Sequence, residues 1–204
     1  MTDASVNETI RSIFSRRSVR QFTGRPVSNE DLTIILEAAN QAPSAHNQQT
    51  WRFVVVRSER IRLELAQLAR DRASKFSRIS SVFLRRAAQT IAGAPVVVAV
   101  VNTGRLMEHS PELSDAEREA DATIFRTMEI QNSAAAIENL LLAATSLGIG
   151  SVWLGILLLL KRQVLELLGE PSGELAAIVA LGYPAGQTSA PEKTPLESLV
   201  RYVD

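Results

Sequence analysis

Apolar side chains recur along the chain with two periods. Val6, Ile10, Ile13 and Phe14 fall at i, i+4, i+7 and i+8, which predicts a first helix ending near Arg16. Ser28 with Asp31 is a helix start signal of the capping-box type. Leu32, Ile35, Leu36 and Ala39 then give a second amphipathic helix, stopped before Pro43. Residues 42–49 form a polar loop. WRFVVVR from Trp51 to Arg57 reads as a strand, Glu59 to about Ser74 as a charged amphipathic helix, and about Val82 to Ile91 as a further helical stretch. Gly93-Ala94-Pro95 breaks the chain before a buried strand from Val96 to Val101. Residues 102–115 are polar and irregular, and 104–119 is long enough to serve as a lid. A helix from about Ala116 to Leu147 is nearly all apolar after Ser133, which predicts burial on most sides. Gly148 to Leu157 is expected to be a loop entering a strand. Lys161 to Leu168 reads as a short helix and Leu175 to Leu181 as a strand closed by Gly182-Tyr183-Pro184. An extended C-terminal segment, 186–204, follows.

Helices mixed with few strands place the chain in the α/β or α+β class. Leu140 to Leu160 carries no charge and is long enough to span a bilayer, but Gly148, Gly150, Ser151 and Gly155 interrupt it. It therefore reads as a helix ending on a glycine cap, followed by a new element, and no membrane span is expected. The first residues, MTDASVNETIRS, contain no apolar secretory core, so the cytoplasm is the expected location.

Composition removes several chemistries. The 204 residues include 22 Lys plus Arg and 22 Asp plus Glu, and this balance disfavours nucleic acid as the main partner. There is no cysteine and there are only two histidines, His46 and His109. Thiolate nucleophiles, disulfides and iron–sulfur clusters are excluded, and no metal site is expected. Charge is nonetheless segregated. Arg52 to Arg86 holds ten basic residues against Glu59, Glu64 and Asp71, whereas Glu108 to Glu138 holds eight acids against Arg118 and Arg126. The two runs are solvated helical faces or, alternatively, complementary surfaces of a symmetric dimer. Gly-x-Gly-x-x-Gly, Walker A, His-Glu-x-x-His and Gly-x-Ser-x-Gly motifs are all absent.

Two clusters remain as candidate chemistry. Arg16-Arg17-Ser18-Val19-Arg20 places three guanidinium forks, whose geometry matches phosphate oxygens, just past the first helix. Strand-like alternation would put Arg16, Ser18 and Arg20 on one side. Ala42 to Trp51 (APSAHNQQTW) combines small residues, which admit a flat ligand, with amides that match an imide edge. Taken singly, the first is a solvated basic turn and the second a polar loop. Trp51 and Trp153 read first as core aromatics, and His46 as a solvated loop residue.

Taken together and in order, RRSVRQF, APSAHNQQTWRFVVV, IQNSAAAIENLLLAATSLGIGSVWLG and AIVALGYPAG resemble the nitroreductase family of FMN-dependent oxidoreductases. The likeness runs from Ile10 to about Val200 and is weakest over 70–92 and 104–119. It implies a single α+β domain over 1–204, with a three-layer fold in which helices flank a central, mostly antiparallel sheet. It also implies an intertwined homodimer with FMN at the interface. Arg16 and Ser18, with Arg17 nearby, would bind the phosphate and ribityl chain. Arg20 would sit at the pyrimidine end, where a cation stabilises the reduced flavin. Pro43, Ser44, Ala45, Asn47 and Gln49 would line the flavin from the partner subunit. Trp153, Leu154 and Gly155 would pack near its N5. The resemblance also implies a buried strand and interface over 148–160.

There are departures from the family pattern. Thr50 stands where the family often has Pro, and Lys193, after Glu192, where a phosphate-binding Arg is usual. Some members place an acid near N5, but none stands near Gly155. The implied activity is transfer of reducing equivalents from NADH or NADPH to a nitroaromatic, quinone or similar small acceptor, with ping-pong kinetics. Alternatives are a flavin-binding or storage protein without turnover, a same-fold enone reductase, dehalogenase or flavin-consuming enzyme, and a phosphate or nucleic-acid binder without flavin.

Overall fold

A computed structural model describes residues 7–76, 78–104, 115–170 and 172–203, with the backbone alone at 78 and 115–122. Helices α1 (Glu8–Ser15) and α2 (Asn29–Asn40) precede β1 (Trp51–Val56), and a 3-10 turn (Ala45–Asn47) lies between α2 and β1. Then follow α3 (Glu59–Ala73), α4 (Arg78–Gly93), β2 (Val96–Asn102), α5 (Asp115–Ser146) and β3 (Gly150–Trp153). A 3-10 segment (Gly155–Leu160), α6 (Lys161–Leu168), β4 (Glu174–Gly182) and a last 3-10 turn (Leu196–Ser198) complete the chain.

The helix starts are set by side chains that satisfy orphan amides. Asn7 accepts from Ile10 N–H at 3.0 Å, Ser28 from Asp31 N–H at 2.9 Å and Ser58 from Ile61 N–H at 3.4 Å. Helix α5 ends at Gly148, whose φ of +70° only glycine adopts without strain, while Ile149 N–H returns to Ala144 O at 2.8 Å. This is the glycine stop expected in the uncharged stretch, and no helix among the described residues is long and apolar enough to cross a membrane.

The sheet order is β1-β2-β4-β3, and every pairing is antiparallel. Strand β2 is buried throughout, and its period of two feeds two cores. Val97, Ala99 and Val101 pack with α3, α4, α6 and the 155–160 segment, while Val96, Val98 and Val100 pack with α2 and α5. These are the expected three layers. Opposite Val100 and Val101 the register shifts from Ala177 to Leu175, leaving Ala176 as an extra residue. That bulge flips the parity of β4, so Leu175 and Ala177 face opposite cores although two residues apart.

One expectation needs correction. The run 148–160 is not one strand, because β3 stops at Trp153 and the chain turns into a 3-10 segment. The lid interval 104–119 is helical from Asp115, and residues 105–114, with His109, lie outside the described residues.

At the start of β4, Glu174 accepts from Arg126 Nε at 2.9 Å and Nη2 at 2.6 Å, and from Lys161 at 3.2 Å. The Arg126 hydrogen bonds hold the Glu174 carboxyl below the ordinary carboxylate range, against a desolvation that opposes them. A lowered carboxylate pKa stabilises the fold above the ordinary range, and the contribution is lost as pH falls through the lowered value. The stability difference between wild type and Glu174→Gln, measured by urea unfolding, is therefore expected to shrink on acidification. The effect is small, because Arg126 is 58% exposed.

Candidate functional site

The Arg16–Arg20 segment is held as an extra, partial strand on the free edge of β3. Ser18 bridges Ser151 in parallel, and Val19 N–H donates to Ser151 O at 2.9 Å. Further on, Thr23 N–H reaches Tyr183 O at 2.8 Å and Ala185 N–H reaches Gln21 O at 3.0 Å, which fastens the segment to the end of β4. Val19 points inward onto Gly150. A Cβ on Gly150 would lie 2.8 Å from Val19 Cβ and 2.9 Å from both of its γ-methyls. Gly182 admits Pro95 and Phe22 in the same way. These glycines let the arginine segment lie close against the sheet.

Alternation then sends the flanking side chains outward. Arg16 Nε lies 3.7 Å from Glu138 Oε1 on α5. Arg17 turns back, and its Nη1 donates to Phe14 O at 2.6 Å and Arg16 O at 2.8 Å, satisfying carbonyls at the end of α1. Arg20 Nη1 donates to Ser18 O at 3.2 Å, and Arg20 lines a cavity of about 830 Å³. Trp153, Leu154 and Gly155 line the same cavity, so the structure brings together the outermost arginine and the turn after β3, which lie 133 residues or more apart in sequence. Trp153 is 38% exposed and turned to this space, whereas Trp51 is buried with its Nε1 on Asn40 Oδ1 at 3.0 Å. Reading both tryptophans as core residues holds for Trp51 alone.

The opposite wall is α4, through Phe83, Arg86, Gln89 and Thr90. Sequence reading did not single these out. Their signal is a misplaced aromatic: Phe83 is 51% exposed on a helix whose inward face is already supplied by Leu84, Ala87, Ala88 and Ile91. Among the described residues, the lining side chains include two guanidinium groups and no carboxylate or imidazole.

The loop from Pro43 to Gln49 is placed elsewhere, and none of its residues lines this cavity. Its backbone is unusual, because His46, Asn47 and Gln49 all have positive φ, at 50°, 55° and 48°. Asn47 N–H donates to Ser44 O at 3.0 Å and Gln49 N–H to Ser44 Oγ at 3.0 Å. Lys193 lies in the exposed C-terminal segment. Within one chain, then, the expected ligands divide between the 16–20 segment with residues 153–155 and the 43–49 loop, with Lys193 in neither.

The fold and its cavity define the nitroreductase class of α+β proteins. A nitroreductase with bound FMN from Bacteroides fragilis matches with a TM-score of 0.73 at 30% identity, over 98% of this chain and 100% of that one. The NADH dehydrogenase of Thermus thermophilus is 31% identical over 202 residues, covering 91% of each chain. The NADPH-flavin oxidoreductase of Vibrio harveyi is 29% identical over 96% of this chain and 73% of its own length. The model of the nitroreductase family matches residues 13–183, and the chain belongs to that family.

Proposed function

We propose that the chain is an FMN-dependent NAD(P)H oxidoreductase that works as a homodimer and reduces a nitroaromatic, quinone or similar small acceptor by a ping-pong mechanism. The observation that carries this reading is the cavity in which Arg20 meets Trp153, Leu154 and Gly155. Its volume suits a cofactor-sized ligand. A side chain on Gly155 would meet only Trp153 Nε1, at 4.0 Å, so a flat ring can approach the backbone there. No side chain caps the start of the 155–160 segment, which leaves donors at the cavity wall. Cations, amides and an open backbone fit FMN. The names of the Thermus and Vibrio relatives, and the FMN bound in the Bacteroides structure, support the same cofactor and reductant.

Bound FMN supplies hydride acceptance and donation at N5. The residues of the chain bind and orient. Arg16, Ser18 and Lys193 hold the phosphate end, with Arg17 fixing the end of α1. Arg20 favours negative charge at the pyrimidine end. Phe83 and Trp153 offer aromatic faces to a flat substrate. The described residues of this wall supply position and charge.

A second copy completes the site with Pro43, Ser44, Ala45, Asn47 and Gln49. Two uncovered apolar surfaces support dimerisation. Helix α1 buries no residue within the chain, leaving Ile10, Ile13 and Phe14 exposed, and the C-terminal segment exposes Leu196, Leu199, Tyr202 and Val203. The test is steady-state NAD(P)H oxidation with a quinone, with acceptor varied at several fixed reductant concentrations. Parallel double-reciprocal lines are expected. Intersecting lines contradict the ping-pong cycle, and an FMN-loaded protein without turnover is a binding or storage protein instead.

A further inference from the structure

The polar loop 43–49 has no glycine, yet three of its residues occupy the left-handed region that L side chains disfavour. Such a backbone persists only where its surroundings over-determine it. Bonds inside the loop are local: Ser44 accepts from Asn47 and Gln49, and Gln49 Nε2 donates to Asn47 O at 3.2 Å and Oδ1 at 3.1 Å. These fix the shape of the loop but not its place on the protein.

A tether comes from α5. Asn132 Oδ1 accepts from Ala45 N–H at 3.2 Å, and Asn132 Nδ2 donates to Thr50 Oγ1 at 3.3 Å. One carboxamide thus spans both ends of the loop. Thr50 is fully buried and Asn132 is 7% exposed, so water does not substitute readily for either partner. Thr50 is itself anchored to the sheet, because its carbonyl accepts from Thr103 N–H at 2.9 Å and Thr103 Oγ1 at 3.3 Å. The next residue on α5, Ser133, donates to Asn102 Oδ1 at the end of β2, so the row of polar contacts continues into the sheet.

We infer that Asn132 and Thr50 are positioning residues that staple the strained loop 44–49 in its ligand-binding shape, and so set FMN affinity without touching the cofactor. This rests on the reading of the loop as part of the partner's flavin site.

The test uses the full-length dimer, stripped of cofactor and titrated with FMN, for Thr50→Val, Asn132→Leu, the double variant, Thr50→Ser and Asn47→Ala. Thr50→Val is expected to raise the FMN Kd about tenfold, the scale of one buried hydrogen bond lost, and Asn132→Leu, which loses both bonds of the carboxamide, by at least as much. The double variant should be no weaker than the worse single one, because the two groups act as a unit. Thr50→Ser, which keeps the hydroxyl, should restore wild-type affinity. Hydrogen exchange at the Ala45 and Gln49 amides should quicken in Thr50→Val while exchange in β2 and β4 stays unchanged. If Asn132→Leu does not fold, the contrast between Thr50→Val and Thr50→Ser decides. Lower thermal stability with unchanged Kd and loop exchange overturns the inference. If Asn47→Ala weakens FMN and the staple variants do not, the staple is wrong and the site reading stands. If Asn47→Ala also leaves Kd unchanged, the site reading fails as well.

Discussion

Replacing Gly150 with alanine is expected to strip FMN from the protein while leaving it folded. The added Cβ would meet three carbons of Val19 at 2.8 to 2.9 Å, well inside normal carbon contact. Val19 is 8% exposed and is the only residue of RRSVR that is buried, so moving it moves the whole segment. The segment is held to β3 through Val19 N–H on Ser151 O and the Ser18 bridge, and displacement breaks both. Overpacking of this kind costs about 1 to 3 kcal/mol. The core strands β2 and β4 do not depend on it, so the cost falls on the arginines. FMN content per chain, read by absorbance after gel filtration, should fall well below that of wild type, with unfolding still cooperative. Val19→Ala added to Gly150→Ala removes both γ-methyl contacts but keeps the 2.8 Å contact with Val19 Cβ, so only part of the cofactor should return. Full FMN content in Gly150→Ala alone would show that the arginine segment has no part in holding it.

The second large effect separates two arginines of one short segment, Arg16 expected at the phosphate and Arg20 at the pyrimidine end. Arg16 lies beside Glu138 on α5, and Arg20 lies in the cavity with Trp153, Leu154 and Gly155. A phosphate contact made in both redox states is uniform binding. Arg16→Ala should therefore weaken FMN by roughly 2 to 4 kcal/mol, the scale for removing one partner of a charge-assisted contact. Turnover at saturating FMN should change little. Arg20→Ala should instead lower the flavin midpoint potential, since the cation favours the reduced form. About 30 mV corresponds to roughly 1.4 kcal/mol for a two-electron couple, so a shift of some tens of millivolts is expected. FMN titration and a redox titration on both variants decide. Equal losses of affinity with no change in potential would reduce RRSVR to an undifferentiated phosphate clasp.

Much of this architecture is legible without coordinates, because it is written locally. Ser28 with Asp31, Gly148 after an apolar helix and the alternation through Val96 to Val101 each state their element within a few residues. What is not legible depends on distant partners. The apolar run past Trp153 predicts a continuing strand, but the chain leaves the sheet at Leu154 and turns into 3-10 geometry at Gly155. Phe83 and Arg86 sit in a helix that reads as an ordinary charged face until the 153–156 turn is set opposite them. Asn132 and Thr50 are 82 residues apart, and nothing at either position announces the other. The bulge at Ala176 likewise emerges only when β4 is paired with β2.

The claim on which the account turns is that each flavin site is shared, with the arginines from one subunit and the 43–49 loop from the other. Mixed dimers of Arg16→Ala and Asn47→Ala chains, carrying different affinity tags and purified through both, test it most directly. In a shared arrangement one site of the mixed dimer receives both lesions and the other receives none. Titration with FMN should then show one site per dimer with wild-type affinity, although neither homodimer has any. If the mixed dimer contains no wild-type site, the arginines and the loop act within one chain and the shared-site account is wrong.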